Sequence, residues 1–143
     1  SGYTPTLRMM IEELIRQEGP IRDELLIRRI ARVHGFQRAG SRIRERIWAI
    51  AKRHPVKTRE DVGIFFWPSK EVLEGWRLFR RPPDGGSRMV EDIPLEELRV
   101  LYGVVSEMGL KGDDALRQMA AMCGVNRLGF NVRTRLERVL RGG

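Results

Sequence analysis

The sequence predicts a mainly α fold made of tandem winged helix-turn-helix-like repeats, the first closed by a short β-hairpin wing. Three observations lead there. Apolar residues recur at helical spacing in three successive stretches of each half. Two short apolar-containing runs around a polar turn follow the third stretch of the first half. The halves also match each other at an offset of 89 residues, a period that signals two copies of a small domain rather than a solenoid.

In chain order, residues 5–18 should form the first helix, with Thr6 as its cap and Leu7, Met10, Ile11, Leu14 and Ile15 as its apolar stripe. Gly19-Pro20 ends it, and Ile21 is expected in a very short strand. Asp23 stands where an N-cap belongs, and Leu25, Leu26, Ile30 and Val33 give the second helix its buried face. Gly35 stops that helix and Phe36 plugs the corner. The third helix runs to about Arg53, with Pro55 closing it. The runs 56–59 and 64–68 then make the hairpin. In residues 69–93 the loop 80–87 is rich in Pro and Gly, but Val72, Leu73, Trp76, Leu78 and Phe79 are too apolar for a free linker. Pro94 opens a helix to about Met108, with Leu95, Leu98, Leu101, Tyr102 and Val105 as its stripe. The expected organisation is a first module at 3–68, a packed connector at 69–93 and a second module at 94–143.

At the offset of 89, Pro5 meets Pro94, Glu18 meets Glu107, Arg28 meets Arg117, Gly35 meets Gly124 and Arg38 meets Arg127. Gly40 meets Gly129, Arg44 meets Arg133 and Arg46 meets Arg135, while Cys123 falls opposite His34. Phe130 and Asn131 replace Ser41 and Arg42, so the copies are not expected to bind equally. The second copy stops where its wing would begin, so that wing is either absent or trimmed away. Ser1-Gly2 without a starting Met reads as a piece of something longer, or as a processed N-terminus.

The chain has 143 residues and a net charge of +8. Residues 21–53 hold ten Lys/Arg against three Asp/Glu, a net +7, and residues 110–141 hold seven against three, a net +4. The remainder is net negative, so the excess positive charge lies in the two repeated segments. On a wheel of about 100° per residue, Ile43, Ile47, Ile50 and Ala51 share one arc of the third helix. Arg38, Arg42, Glu45, Arg46 and Arg53 share the opposite arc. One side can seal a core while the other offers guanidinium groups to a polyanion.

The candidate nucleic-acid-binding residues are Arg38, Ser41, Arg42, Arg46 and Arg53 on this helix, Lys57 and Arg59 in the hairpin, and Arg127 and Arg135 in the second copy. Guanidinium groups suit phosphates and, bidentately, a guanine edge. The bland alternatives are a solvated helix face, a docking face for an acidic protein, and, for Lys57 and Arg59, an ordinary strand edge. Arg44 and Arg133 lie on the flank of the wheel, where a structural role is favoured over binding, spanning either to a helix C-terminus or to an acidic partner such as Glu24 or Asp113. Gly40 and Gly129 permit close backbone approach, to a packed helix or to a phosphate, with packing the favoured cause. Phe65, Phe66 and Trp67 are expected in the core, and Trp48 in packing between modules.

The single cysteine, Cys123, rules out an internal disulfide and reads as a semi-buried structural thiol. His34 and His54 are isolated. No catalytic residue, metal or cofactor is expected. No apolar run approaches a membrane span of roughly 20 residues, and no secretory signal is visible, so a cytoplasmic protein with no membrane partner is expected.

Gly35 to Ile47, Gly-Phe-Gln-Arg-Ala-Gly-Ser-Arg-Ile-Arg-Glu-Arg-Ile, resembles the signature of a domain of unknown function. That domain lies at the C-terminus of large bacterial superfamily 1 helicase-related proteins, which also carry a very-short-patch-repair-like endonuclease domain. Phe65-Phe66-Trp67-Pro68 and the Ile-Pro-x-Glu-Glu-Leu run from Ile93 to Leu98 resemble it too. The resemblance implies a nucleic-acid-processing parent used in genome defence, whose remaining domains would be partners, and it carries no catalytic residue into this chain. The expected function is therefore a non-catalytic accessory domain that binds nucleic acid, double-stranded DNA in the first instance, mainly through phosphates. Protein–protein docking is the rival, and RNA is a further option.

Overall fold

The computed structural model describes residues 3–33, 35 and 40–141. The chain divides into two compact units, Ser1–Gly75 and Trp76–Gly143. The division falls inside the stretch 69–93. Described elements are mainly helical, with one small antiparallel sheet.

In the first unit, helix α1 (Tyr3–Glu18) leads into strand β1 (Ile21–Arg22), helix α2 (Asp23–Val33) and helix α3 (Ser41–Ala51). Strands β2 (Lys57–Glu60) and β3 (Gly63–Phe66) and a short helix α4 (Lys70–Glu74) follow. The first helix begins before Thr6, which therefore lies inside it rather than capping it. Leu7, Ile11 and Ile15, one turn apart, turn the inner face of α1 toward Leu26, Ile27 and Ile30 of α2 and Ile47 and Ala51 of α3. The expected face of α2 needs correction. Val33 is 71% exposed, and Ile27 occupies the core instead. Val33 is in the last turn, at an open cleft between α1 and α2 rather than in the core.

The sheet has the order β1–β3–β2, with Ile21 opposite Phe66 and Thr58 opposite Phe65. The central strand β3 is buried on both faces, which explains its unbroken run Ile64-Phe65-Phe66. Trp67 is fully buried as well; its indole N–H donates to Thr58 Oγ1 at 2.9 Å. The three hairpin aromatics are thus core. Trp48 packs at the edge of its own unit's core, 6.3 Å from Phe66 between ring centroids. It is half-buried there, so it has a packing partner within the module. Asp23 begins α2 and accepts from the backbone N–H groups of Glu24 and Ile64. Gly63, at φ +140°, leaves the room that this carboxylate occupies, since a Cβ there would stand 2.8 Å from Asp23 Oδ1.

The second unit holds a 3-10 turn (Val90–Asp92) and helices α5 (Leu95–Glu107), α6 (Gly112–Met122) and α7 (Phe130–Leu140). Leu98, Leu101, Val105, Leu116, Met119, Leu136 and Val139 form its core. The bounds of α6 and α7 are those of α2 and α3 moved by 89 residues. Helix α5 departs from that register. Its buried positions Glu97, Leu101 and Val105 match Leu7, Ile11 and Ile15 at an offset of 90. The ungapped pairing of Pro5 with Pro94 is therefore one residue out. A residue of the first unit between α1 and α2, where Gly19-Pro20 stands, has no counterpart.

Where the first unit has Leu7, the second has a carboxylate. Glu97 is fully buried and accepts from Arg80 and Arg88, with Arg88 Nη1 at 2.7 Å and Arg80 Nη2 at 2.9 Å. The backbone N–H of Arg80 donates to it as well, at 2.7 Å. The segment 79–93 is thereby strapped onto α5. The backbone N–H of Arg88 also donates to the Cys123 carbonyl at 2.8 Å, at the end of α6. Gly124 follows at φ +78°, and a Cβ there would meet Gly86 O at 2.2 Å.

Candidate nucleic-acid interface

Helix α3 is an 11-residue amphipath. Ile47 is fully buried and Ala51 nearly so, and Ser41, Arg42 and Arg46 are exposed. Arg42 and Arg46, four residues apart, stand one turn above the other on the outer face. The Arg42 side chain has no hydrogen bond or ion pair to any described residue. Arg44 turns instead toward α2 and pairs with Glu24. Its counterpart Arg133 pairs with Asp113 at 2.7 Å, and Asp113 is Glu24 moved by 89. In both units an arginine of the third helix is thus tied to the first turn of the second. Hydrogen bonding from Arg133 holds the Asp113 carboxyl below its usual range.

The other candidates fall as follows. Arg38 lies outside the described residues, as do Phe36 and His34. Helix α3 ends at Ala51, so Arg53 sits just beyond it, exposed. In β2 the side chains alternate, with Lys57 and Arg59 out and Thr58 and Glu60 inward. The Lys57 ammonium donates to the Lys52 carbonyl at the C-terminal end of α3, where a cation offsets the helix dipole. Arg59 stands on the outward side of an edge strand. Arg127 is exposed in the loop before α7.

Arg135 is a correction. It is 5% exposed, and its guanidinium donates to the Val90 and Ile93 carbonyls, the latter at 2.7 Å. The 3-10 turn lies over that side of α7 and leaves carbonyls that a buried arginine satisfies. Arg46, at the same helical position, is exposed. Nothing local to 127–136 signals this difference, because the covering segment lies some forty residues away.

Gly40 and Gly129 precede α3 and α7 in ordinary extended backbone, at φ −67° and −73°. A Cβ at either would meet no described atom within 4 Å, so helix packing does not account for them. Neither cap residue supplies a side-chain hydrogen bond to the first-turn N–H groups beside Ser41–Arg42 and Phe130–Asn131. Phe130 is 81% exposed. Arg8 was missed by sequence reasoning. It lies on α1 next to the core stripe, and with Arg53 and His54 it lines a cleft of about 270 Å³. No spacing in the sequence brings those positions together.

A family model described as "Protein of unknown function (DUF3320)" matches residues 1–45. That span covers α1, β1, α2 and the first turn of α3, including Arg42 and Arg44. The matched part of the chain is thus similar to a domain of unknown function. No curated protein matches the chain, and neither does any solved structure. No described helix is long and apolar enough to cross a membrane.

Proposed function

We propose that this chain is a non-catalytic nucleic-acid-binding accessory domain that grips the phosphates of double-stranded DNA with the outer face of α3. The observation that carries the reading is the division of labour among the arginines of that helix. Arg44 is engaged with Glu24, whereas the Arg42 side chain has no partner among the described residues, and Arg42 and Arg46 are both exposed. Arg53 and Arg59 add cations next to the same helix and on the hairpin that follows it. Helix, helix, helix, hairpin, with β1 closing the sheet, is the order of a winged helix-turn-helix, and the third helix of such a fold enters the major groove. The bare glycine ahead of α3 supplies no side-chain cap, and the N–H groups of a helix's first turn suit a phosphate. We read the second unit as a degenerate copy, with Asn131 for Arg42 and Arg135 enclosed. In this reading the parent is a cytoplasmic superfamily 1 helicase-related protein of genome defence, and the domain holds DNA for a motor or nuclease elsewhere in it.

Fluorescence anisotropy of a labelled duplex at 50 and 200 mM salt tests the reading. Four phosphate contacts correspond to roughly a hundredfold loss of affinity across that range. Arg42→Glu with Arg46→Glu should abolish binding. Absence of binding at low salt overturns the proposal.

One observation favours a protein-docking alternative. Met9, Met10, Leu14, Ile30 and Val33 line an open apolar cleft of about 840 Å³ between α1 and α2, and Met9 is 70% exposed. Flexible methionines suit a peptide-binding surface.

A further inference from the structure

A second cavity of the first unit carries chemistry that the helix face lacks. It lies between α1 and the turn after α3, holds about 270 Å³, and is floored by Ile11 and Ile50. Its walls present Arg8, Arg53 and His54, with Glu12 the one carboxylate. Neither guanidinium makes a hydrogen bond or ion pair to a described residue, although Glu12 lies in the same cleft. His54 is fixed by its contact of 2.6 Å between Nε2 and the Trp67 carbonyl. The carbonyl can only accept, so Nε2 carries the hydrogen and Nδ1 keeps the lone pair or a second proton.

We propose that this cleft receives the terminal phosphate of a nucleic-acid strand, which rests on the nucleic-acid reading of α3 and extends it to strand ends. Three features select a phosphate monoester at a chain end. A concave site with an apolar floor admits an end group and its sugar, not the convex side of a continuous backbone. A monoester, with a second pKa of about 6, carries nearly two charges at neutral pH, against one for an internal diester. Two unengaged guanidiniums match that extra charge. The cleft also adjoins the C-terminal end of α3, so an end seated there is continuous with a strand lying along Arg46 and Arg42.

The experiment compares duplexes of one sequence bearing a 5′-phosphate, a 3′-phosphate or neither. The full chain is titrated as wild type, Arg8→Gln, Arg53→Gln and Glu12→Gln, with deoxyadenosine monophosphate as a further ligand. A preference of about tenfold for one phosphorylated end is expected, the worth of one charge-assisted hydrogen bond. It should vanish in Arg8→Gln while that variant still binds the unphosphorylated duplex, and it should grow in Glu12→Gln. Equal affinity for the three duplexes overturns the proposal and leaves the α3 reading standing. So does a preference that survives both arginine substitutions, or binding of the mononucleotide without any preference for an end. Binding of no duplex at all removes the α3 reading and this one with it. Arg8 is exposed, so circular dichroism of Arg8→Gln should match wild type.

Discussion

Glu97→Gln isolates the worth of a buried ionic staple. The carboxylate has no exposed surface and holds two guanidiniums, Arg88 at 2.7 Å and Arg80 at 2.9 Å, together with the backbone N–H of Arg80. An amide of the same shape keeps one acceptor and turns an NH2 group toward donors, leaving arginine charge with no counter-charge. Breaking such a pair by removing one partner costs about 3–5 kcal/mol. By contrast Glu24→Gln, at a half-exposed pair, should cost under about 1 kcal/mol. Hydrogen exchange read by mass spectrometry on the full chain localises the effect. Amides of α5, α6 and α7 should lose protection in Glu97→Gln while those of α1–α3 keep theirs. The pH dependence supplies a sign. Burial is the largest influence on Glu97 and pushes its pKa up, but the hydrogen bonds and charges of Arg88 and Arg80 together outweigh it, and the carboxyl titrates below its ordinary 4.5. The folded state therefore binds this proton more weakly than the unfolded chain. The stabilisation is complete above about pH 4.5 and is lost as pH falls through the lowered folded value. Glu97→Gln should flatten that acid limb. A loss of less than 1 kcal/mol, or an unchanged acid limb, would refute the claim that the staple holds the strap to α5.

Further expectations follow from the same geometry. Arg135→Ala should destabilise the second unit by about 2 kcal/mol, because it strands the Val90 and Ile93 carbonyls, whereas Arg42→Ala, at an exposed side chain with no described partner, should change stability by under about 0.5 kcal/mol in thermal melts. Cys123, whose thiol is pushed up to about 11 chiefly by burial, should resist iodoacetamide at pH 8 in the native protein and react at once in denaturant. Rapid native alkylation would contradict its placement. Gly35→Ala and Gly124→Ala share a left-handed backbone, at φ +85° and +78°, but among the described residues only the second meets an obstacle, Gly86 O at 2.2 Å. The first should cost about 1 kcal/mol and the second about 3 kcal/mol, read from urea midpoints.

Much of the fold could be read in the sequence because its signals were local. The spacing of Ile43, Ile47 and Ala51 placed α3, and the polar turn before Ile64-Phe65-Phe66 placed the hairpin. The partners of Arg44 and Arg133 were legible for a related reason, since Glu24 and Asp113 open the preceding helix of each copy. What escaped depended on distant segments. Arg135 is enclosed by the turn at 90–92, and Glu97 is neutralised by arginines in a loop whose composition reads only as irregular. The one-residue shift of α5 was invisible in an ungapped match, because Pro5 and Pro94 coincide by letter and not by burial. Helix packing was the favoured reason for Gly40 and Gly129, and only the structure shows that no described atom stands within 4 Å of a Cβ at either. Arg8 and Arg53 are forty-five residues apart, and only the packing of α1 beside the end of α3 unites them.

The unlike fates of Arg46 and Arg135 bear on valency. A duplicated reader ordinarily gains avidity, since tethering turns the second engagement into an intramolecular event and multiplies affinity by about 10²–10⁴. Here the second unit carries Asn131 in place of Arg42 and has its matching guanidinium sealed under a turn. On the nucleic-acid reading proposed above, lengthening a ligand beyond what the first unit engages should therefore add little affinity, which should plateau at short ligand length.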